Sequence, residues 1–192
     1  MFRVLITLTI LLAGGLALAE SGTTVSALVI IDIQEFYFPG GGMALSEPEP
    51  ASAKAGRVLA DFREHGDLVI HVQHQAKQGM DIHADVEPME GEVVITKQQV
   101  NAFRDTELLA VLQEHGVTDL VLVGMQTHMC LEAATRAAAD LGFQCVVIGD
   151  ACATRDLTHG ETTVPAAAVH ASTLATLGAY AEVVDVETYL GR

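Results

Sequence analysis

Short, almost uninterrupted runs of apolar residues recur along the chain, and they constrain its fold more than any other feature of the sequence. They lack the alternation of apolar and polar residues that a half-exposed strand shows, so they predict strands buried on both faces. Six such runs are present, at residues 27–33, 68–72, 93–95, 120–123, 145–148 and 181–186. Strands of this kind pair in parallel and need helices on both sides of the sheet.

Segments with apolar residues at three- and four-residue spacing separate these runs, and they predict helices. They span residues 51–65, 105–115, 128–141 and 164–177. A glycine follows each one, which is the usual residue for a left-handed helix end. The alternation predicts an α/β fold with three layers, α-β-α, and a doubly wound, mostly parallel sheet of about six strands.

The first 19 residues have the pattern of a secretory signal peptide. Arg3 precedes an apolar run at residues 4–12, and Ala17-Leu18-Ala19 has the small residues of a cleavage site. The apolar stretch is too short for a comfortable membrane span, which argues against a membrane anchor. We therefore expect a signal peptide at residues 1–19, one domain at residues 20–192, and a periplasmic or secreted protein.

Composition narrows the range of partners. The formal net charge of −15 makes nucleic acid a poor partner. No segment after residue 19 has an apolar run long enough to cross a bilayer, so no membrane partner is expected after signal cleavage. Three cysteines leave at least one thiol unpaired, and no CxxC pair is present to indicate a redox or zinc motif.

Three reactive side chains lie at predicted strand ends. Asp32 ends the first apolar run, Lys97 follows the third, and Cys130 lies where a helix begins after the fourth. Ligands bind beyond the carboxyl ends of the strands in an open parallel sheet, so these side chains are candidates for one site. A thiol in the first helical turn beside a lysine should have a lowered pKa, with Asp32 as proton acceptor. From position alone, Cys130 fits a small buried residue and Lys97 a solvated loop residue equally well.

Several short motifs favour a shared reactive site for Asp32, Lys97 and Cys130. They are Asp32-x-Gln34, Thr96-Lys97, Asn101-Ala102-Phe103, Thr106-x-Leu108, Gly124-x-x-Thr127-x-x-Cys130, Asp150-Ala151-Cys152-Ala153 and Ala167-x-x-His170. On these motifs the chain resembles the isochorismatase-like family of cysteine hydrolases, which includes nicotinamidases and N-carbamoylsarcosine amidohydrolases. The resemblance covers nearly all of residues 26–186.

The resemblance implies a catalytic triad of Cys130, Asp32 and Lys97. It also implies a cis peptide bond between Met125 and Gln126, and an oxyanion hole made by the backbone N–H groups of Gln126 and Cys130. The reaction would be hydrolysis of a C–N bond in a small amide through a thioester on Cys130. Water would be the co-substrate, no cofactor would be needed, and the protein would be a homo-oligomer.

Phe36, Tyr37 and His74 are expected to line the substrate pocket. Two other functions stay open. One is vinyl-ether hydrolysis on the same scaffold, although isochorismatases of that type usually lack the nucleophilic cysteine. The other is a non-catalytic exported protein that binds a ligand or senses oxidants through its thiol.

A metal site is not expected. Nicotinamidases carry an Asp-x-His motif after the second strand, but this chain has Gln73-His74-Gln75 there. Three further residues of ligand type are near in sequence, namely His71, Asp81 and His83, and their spacing matches no compact zinc pattern.

Overall fold

A computed structural model describes residues 24–192. The predicted signal peptide, residues 1–19, lies outside this part of the chain. Among residues 24–192, no helix is both long and apolar enough to cross a membrane.

Within residues 24–192, eight strands form a central sheet and a separate hairpin. They are β1 (Ser26–Ile31), β2 (Leu68–His74), β3 (Val93–Lys97), β4 (Asp119–Met125), β5 (Gln144–Ala153), β6 (Leu157–His159), β7 (Thr162–Val164) and β8 (Glu182–Val184). The central sheet has six strands in the order β3-β2-β1-β4-β5-β8, and all five pairings are parallel. Strands β6 and β7 pair in antiparallel fashion as the hairpin. The predicted number of sheet strands and their parallel pairing are confirmed.

Helices cover both faces of the sheet. They are α1 (Pro48–His65), α2 (Leu108–Glu114), α3 (Glu132–Asp140), α4 (Ala166–Leu177) and α5 (Val186–Leu190). Apolar residues of α2, α3 and α4 pack on one face, and those of α1 and α5 pack on the other. This is the predicted three-layer α-β-α arrangement.

The start of one predicted helix and the end of another differ from the sequence expectation. The predicted helix at 128–141 begins as a π-helical turn, Thr127–Leu131, that continues directly into α3. Gly178 was expected to end α4 in left-handed conformation, but its φ is −57°. The chain stays right-handed there because the N–H groups of Tyr180 and Ala181 both donate to the carbonyl of Leu177.

The strand order creates one place where a crevice is expected. Strand β1 lies between β2 and β4. The chain continues from β2 to β3 on one side and from β4 to β5 on the other, so these connections leave the carboxyl ends of the strands in opposite directions. The strands also come unusually close there: a Cβ on Gly124 would lie 2.0 Å from the carbonyl oxygen of Ile31. Gly124 has a φ of 132°, and the register of β4 shifts beside it. A glycine is therefore required where β4 turns towards Cys130.

Candidate active site

Asp32, Lys97 and Cys130 come together at the carboxyl edge of the sheet. The Lys97 Nζ lies 2.7 Å from Asp32 Oδ2 and 3.2 Å from Cys130 Sγ. The three residues are 0%, 1% and 5% exposed for Asp32, Lys97 and Cys130 respectively. The ammonium therefore bridges a carboxylate and a thiol in a site from which bulk water is excluded.

The backbone directs Asp32 into this site. Asp32 is the first residue after β1 and has a φ of 51°, in the left-handed region. Its N–H still donates to the carbonyl of Val72 on the neighbouring strand, at 2.8 Å. Aspartate tolerates this conformation better than most residues, and the change of direction ends the strand at the sheet edge.

Burial and charge set the protonation of the pair. Burial raises the pKa of Asp32, and the Lys97 ammonium opposes that rise. Lys97 Nζ, 2.7 Å from Oδ2, is the cation that balances the Asp32 carboxylate, and no other group of residues 24–192 donates a hydrogen bond to either Asp32 oxygen. Burial and the Asp32 charge raise the pKa of Cys130 to about 12.

The expectation of a preformed thiolate at Cys130 is therefore wrong. The Lys97 charge lowers this pKa, but burial and the Asp32 charge raise it and have the larger effect. One ammonium compensates one negative charge, so Asp32 and Cys130 cannot both ionise cheaply. Ionisation of the thiol is therefore easier when the proton lies on Asp32.

The turn that carries Cys130 begins at a cis peptide bond between Met125 and Gln126, as the resemblance implied. The Gln126 carbonyl accepts from the N–H groups of Met129 and Leu131 at 3.0 and 3.4 Å. No hydrogen bond formed by residues 24–192 outside their helices and strands uses the Gln126 N–H. That N–H is free to donate to a ligand beside the thiol.

The predicted pocket residues differ in their surroundings. Phe36 is half-buried, and its ring centroid lies 4.1 Å from that of Tyr37. Tyr37 is buried, and its hydroxyl accepts from the Gln126 Nε2 at 3.4 Å, so it supports the nucleophile turn. His74 is half-buried, and its Nδ1 lies 3.0 Å from Lys97 Nζ.

Two residues near the site had no predicted role. Gln34, fully buried, pairs with the backbone of His74 through both ends of its amide. Arg155 donates from Nε to the side-chain oxygen of Gln126 at 3.2 Å. The Asp32-x-Gln34 motif was a signal for the first, but nothing in the sequence indicated that the loop after β5 returns to Gln126.

The nucleophile turn is also anchored on its outer side. Thr127 is hydrogen-bonded to His170 of α4 at 2.9 Å, and His128 to Thr154 at 2.5 Å. These contacts tie the turn to α4 and to the end of β5. His128 and His170 thus support the backbone around Cys130, and their hydrogen bonds go to Thr154 and Thr127 rather than to Asp32, Lys97 or Cys130.

The histidines and acids of the 71–83 region do not assemble into a metal site. His71 Nε2 pairs with Glu92, and His83 stacks on Phe38. Within residues 24–192, one group of potential ligands is close enough to hold an ion: Asp32, His74 and Cys130, with ligand atoms within 4.8 Å of one another. The Lys97 ammonium contacts all three, so a cation already occupies the position that a metal would need.

Comparison with known proteins gives a consistent result. The isochorismatase domain family matches residues 26–185. The uncharacterised isochorismatase family protein YddQ of Bacillus subtilis is 44% identical over 177 residues, covering 86% of this chain and 98% of YddQ. Streptothricin hydrolase of Streptomyces noursei is 35% identical, over 74% of this chain and 56% of that protein.

A further relative and a solved structure extend this result. Maleamate amidohydrolase of Pseudomonas putida is 30% identical, over 64% of this chain and 69% of that protein. A crystal structure from Oleispira antarctica, described as an isochorismatase hydrolase, superposes with a TM-score of 0.84 at 41% identity. The superposition covers 88% of this chain and 98% of that one.

Proposed function

The chain belongs to the isochorismatase family of hydrolases, and on that premise we propose that it hydrolyses the C–N bond of a small amide through a thioester on Cys130. The observation that carries this proposal is the position of the Lys97 ammonium, within 3.2 Å of both the Asp32 carboxylate and the Cys130 thiol. The acid and the nucleophile thus both contact the same cation. The relative named maleamate amidohydrolase supports the choice of bond.

The first half of the reaction forms the thioester. The Cys130 thiol passes its proton to Asp32, and Sγ attacks the amide carbonyl carbon. The oxyanion accepts hydrogen bonds from the N–H groups of Gln126 and Cys130. Protonated Asp32 then gives its proton to the departing nitrogen as the C–N bond breaks, which leaves an acyl group on Cys130 and releases an amine or ammonia.

The second half regenerates the site. Asp32, now a carboxylate again, takes a proton from a water molecule as the oxygen attacks the thioester carbonyl. The C–S bond breaks, the thiolate takes the proton from Asp32, and a carboxylic acid leaves. The raised pKa of Asp32 suits it to this double use, because a carboxylate of ordinary pKa is too weak a base to deprotonate a thiol.

The surroundings of Gln126 favour an amide that also carries a carboxylate. Five arginines of residues 24–192 pair with carboxylates, and they are Arg57, Arg63, Arg104, Arg136 and Arg192. Arg155 is exposed, forms no ion pair within these residues, and contacts the side chain that begins the nucleophile turn. In a chain of net charge −15, a guanidinium without a carboxylate partner is the group that can bind an anionic part of the substrate. Maleamate, the substrate in the relative's name, is an amide of this type.

Vinyl-ether hydrolysis on the same scaffold is the main alternative, and a non-catalytic binding or redox-sensing role is the other. The first needs an acid but no thiol nucleophile, so it gives no account of a buried thiol held against Lys97. The second gives no account of Asp32 and its proton-sharing partner. The first alternative predicts that turnover survives removal of the thiol, and the second predicts no turnover even in the parent protein.

A screen for ammonia release from small amides tests the proposal. Parent protein, Cys130→Ala and Cys145→Ala should be compared, because Cys145 is also a free, buried thiol but lies in β5. We expect turnover by parent and Cys145→Ala, and a loss of at least about a thousandfold in Cys130→Ala. Turnover that survives in Cys130→Ala would replace the thioester route by one that needs Asp32 alone.

A further inference from the structure

Lys97 carries three N–H donors, and the site supplies three acceptors. Two belong to the proposed triad, Asp32 Oδ2 at 2.7 Å and Cys130 Sγ at 3.2 Å, and the third is His74 Nδ1 at 3.0 Å. We propose that His74 is a positioning residue: it takes the third N–H of Lys97, fixes the ammonium towards the carboxylate and the thiol, and releases it when the imidazole is protonated. The proposal rests on the function proposed above.

The structure holds His74 firmly in place for this contact. His74 and Lys97 are direct neighbours in the register of β2 and β3. The buried Gln34 amide accepts from the His74 N–H at 2.7 Å and donates to the His74 carbonyl at 3.1 Å. A second bond from Gln34 Nε2 to the Met80 carbonyl, 2.7 Å long, fixes the amide itself. Gln34 thus extends the ladder of β2 by a side chain, and the imidazole cannot drift away from Lys97.

The contact also fixes the proton on the imidazole. Since Nδ1 faces an ammonium, it must be the acceptor, and the ring proton is on Nε2. The charged and titratable groups that face the ring are Lys97, Asp32 and Cys130. Burial first, and the Lys97 charge second, lower the pKa of His74 from 6.5, so the ring is neutral at neutral pH. Protonation of the ring in acid would place two cations 3.0 Å apart and break the contact.

Two substitutions separate this role from a purely structural one. In His74→Asn the amide oxygen can occupy the place of Nδ1, so Lys97 keeps its acceptor but the titrating group is gone. In His74→Gln the amide lies near the place of Nε2, and Lys97 loses its acceptor. His159→Asn, on the exposed β6–β7 hairpin, controls for the loss of a histidine elsewhere. The readout is the rate at which iodoacetamide alkylates Cys130, mapped by mass spectrometry from about pH 4 to about pH 8.

In acid, the alkylation rate of the parent and of His159→Asn should fall with a logarithmic slope of about two, because the Asp32–Cys130 pair and His74 each gain a proton. His74→Asn should keep the neutral rate within about twofold and show a slope of about one. His74→Gln should react about tenfold more slowly at neutral pH. Superimposable profiles for parent and His74→Asn, or equal neutral rates for all variants, would overturn the proposal. Alkylation needs no turnover, so a failed amide screen would count against the proposed function without affecting this test.

Melting temperatures of the variants check the fold independently. If His74→Gln is destabilised, the slopes of parent and His74→Asn still decide the proposal. A His74→Asn profile as slow as that of His74→Gln would show that the imidazole acts through something other than its Nδ1 acceptor, and it would also overturn the assignment.

Discussion

Asp32 and Lys97 form an ion pair whose side chains are both fully excluded from solvent, with Oδ2 and Nζ 2.7 Å apart. Removing one member of a buried pair usually leaves an uncompensated charge and costs about 3–5 kcal/mol. Here a third group, the Cys130 thiol, can change that outcome, since it can ionise in place of Asp32. The two members of the pair therefore have opposite effects on the thiol, and single substitutions should reveal them.

Replacing Asp32 by Asn should make Cys130 more reactive while it abolishes hydrolysis. The Asp32 charge raises the pKa of the thiol, so its removal leaves Lys97 to stabilise the thiolate alone. We expect alkylation at neutral pH to accelerate about tenfold. Amide hydrolysis should fall at least about a hundredfold, because the departing nitrogen loses its acid.

Asp105→Asn is the matched control for that experiment. Asp105 also has a positive φ, 58°, but it lies on the surface, where its side chain is 76% exposed. Neither alkylation nor turnover should change in this variant. Slower alkylation of Asp32→Asn than of parent would show that the carboxylate does not hold the proton on the thiol.

Replacing Lys97 by Met should have the opposite effect on the thiol. The side chain keeps its bulk, but the cation that lowers the pKa of Cys130 is lost. An ammonium at this distance shifts a pKa by about 1–3 units, so alkylation at neutral pH should slow about ten- to a thousandfold. Lys54→Met removes a lysine that is paired with Asp150 at the surface, and its alkylation profile should match that of parent. Equal profiles for all three proteins would remove Lys97 from the triad.

Gly124→Ala should destabilise the fold severely. The added methyl group would lie 2.0 Å from the Ile31 carbonyl oxygen, and the backbone has a φ of 132° that alanine rarely adopts. We expect a loss of about 3 kcal/mol or more in the free energy of unfolding, measured by urea titration. Gly42→Ala is the control, because no atom lies within 4 Å of its added methyl group. A Gly124→Ala protein as stable as Gly42→Ala would mean that β1 and β4 can separate at their carboxyl ends.

The sequence predicted the sheet well because six strands buried on both faces leave a pattern of continuous apolar runs. The hairpin β6–β7 and the helix α5 were not predicted, since three-residue strands and a five-residue helix carry almost no periodic signal. Three parallel strands end at one edge, so Asp32, Lys97 and Cys130 could be grouped from sequence. The contact of Arg155 with Gln126 depends on the path of a loop, which periodicity does not encode.

The direction in which the Cys130 pKa is shifted shows a second limit of prediction from sequence. A helix beginning and a lysine are visible in the sequence, and both lower a thiol pKa. Burial and the charge of Asp32 act more strongly, and both depend on how closely the three strand ends approach. The sequence thus indicated which residues meet, while their protonation required the distances.

Acid should lower the free energy of unfolding, because it protonates Glu92. Arg63 holds the pKa of Glu92 at about 2, with further bonds from Met89 N–H and His71. Because the folded pKa lies below the ordinary 4.5, the contribution is present above pH 4.5 and is lost as the pH falls towards about 2. Glu92→Gln should cost about 2 kcal/mol of unfolding free energy at neutral pH, and this difference should shrink across that window.

The surface pair Arg57–Glu187 controls for a general effect of acid on ion pairs. Glu187 is exposed, so Glu187→Gln should change stability little at any pH. Urea unfolding of parent and both variants at several pH values makes the comparison. A Glu92→Gln difference that stays constant with pH would show that the carboxylate acts by packing rather than by charge.

Arg155→Met should weaken the binding of anionic amides specifically. Arg155 forms no ion pair within residues 24–192, and its Nε is bonded to the Gln126 side chain, so its remaining donors can take a carboxylate. A hydrogen bond to a charged group contributes about 1.5–3 kcal/mol, and the exposed position favours the lower end, a rise in KM of about tenfold. The same amide with its carboxylate replaced by a neutral carboxamide should keep its KM, and kcat should change little for either substrate. Arg192→Met is the control. Arg192 pairs with Glu182 at the amino end of β8, whereas the site lies at the carboxyl ends of the strands, so both KM values should stay unchanged. Equal losses for the charged and neutral amides in Arg155→Met would mean that the arginine supports Gln126 and the nucleophile turn instead of binding the substrate.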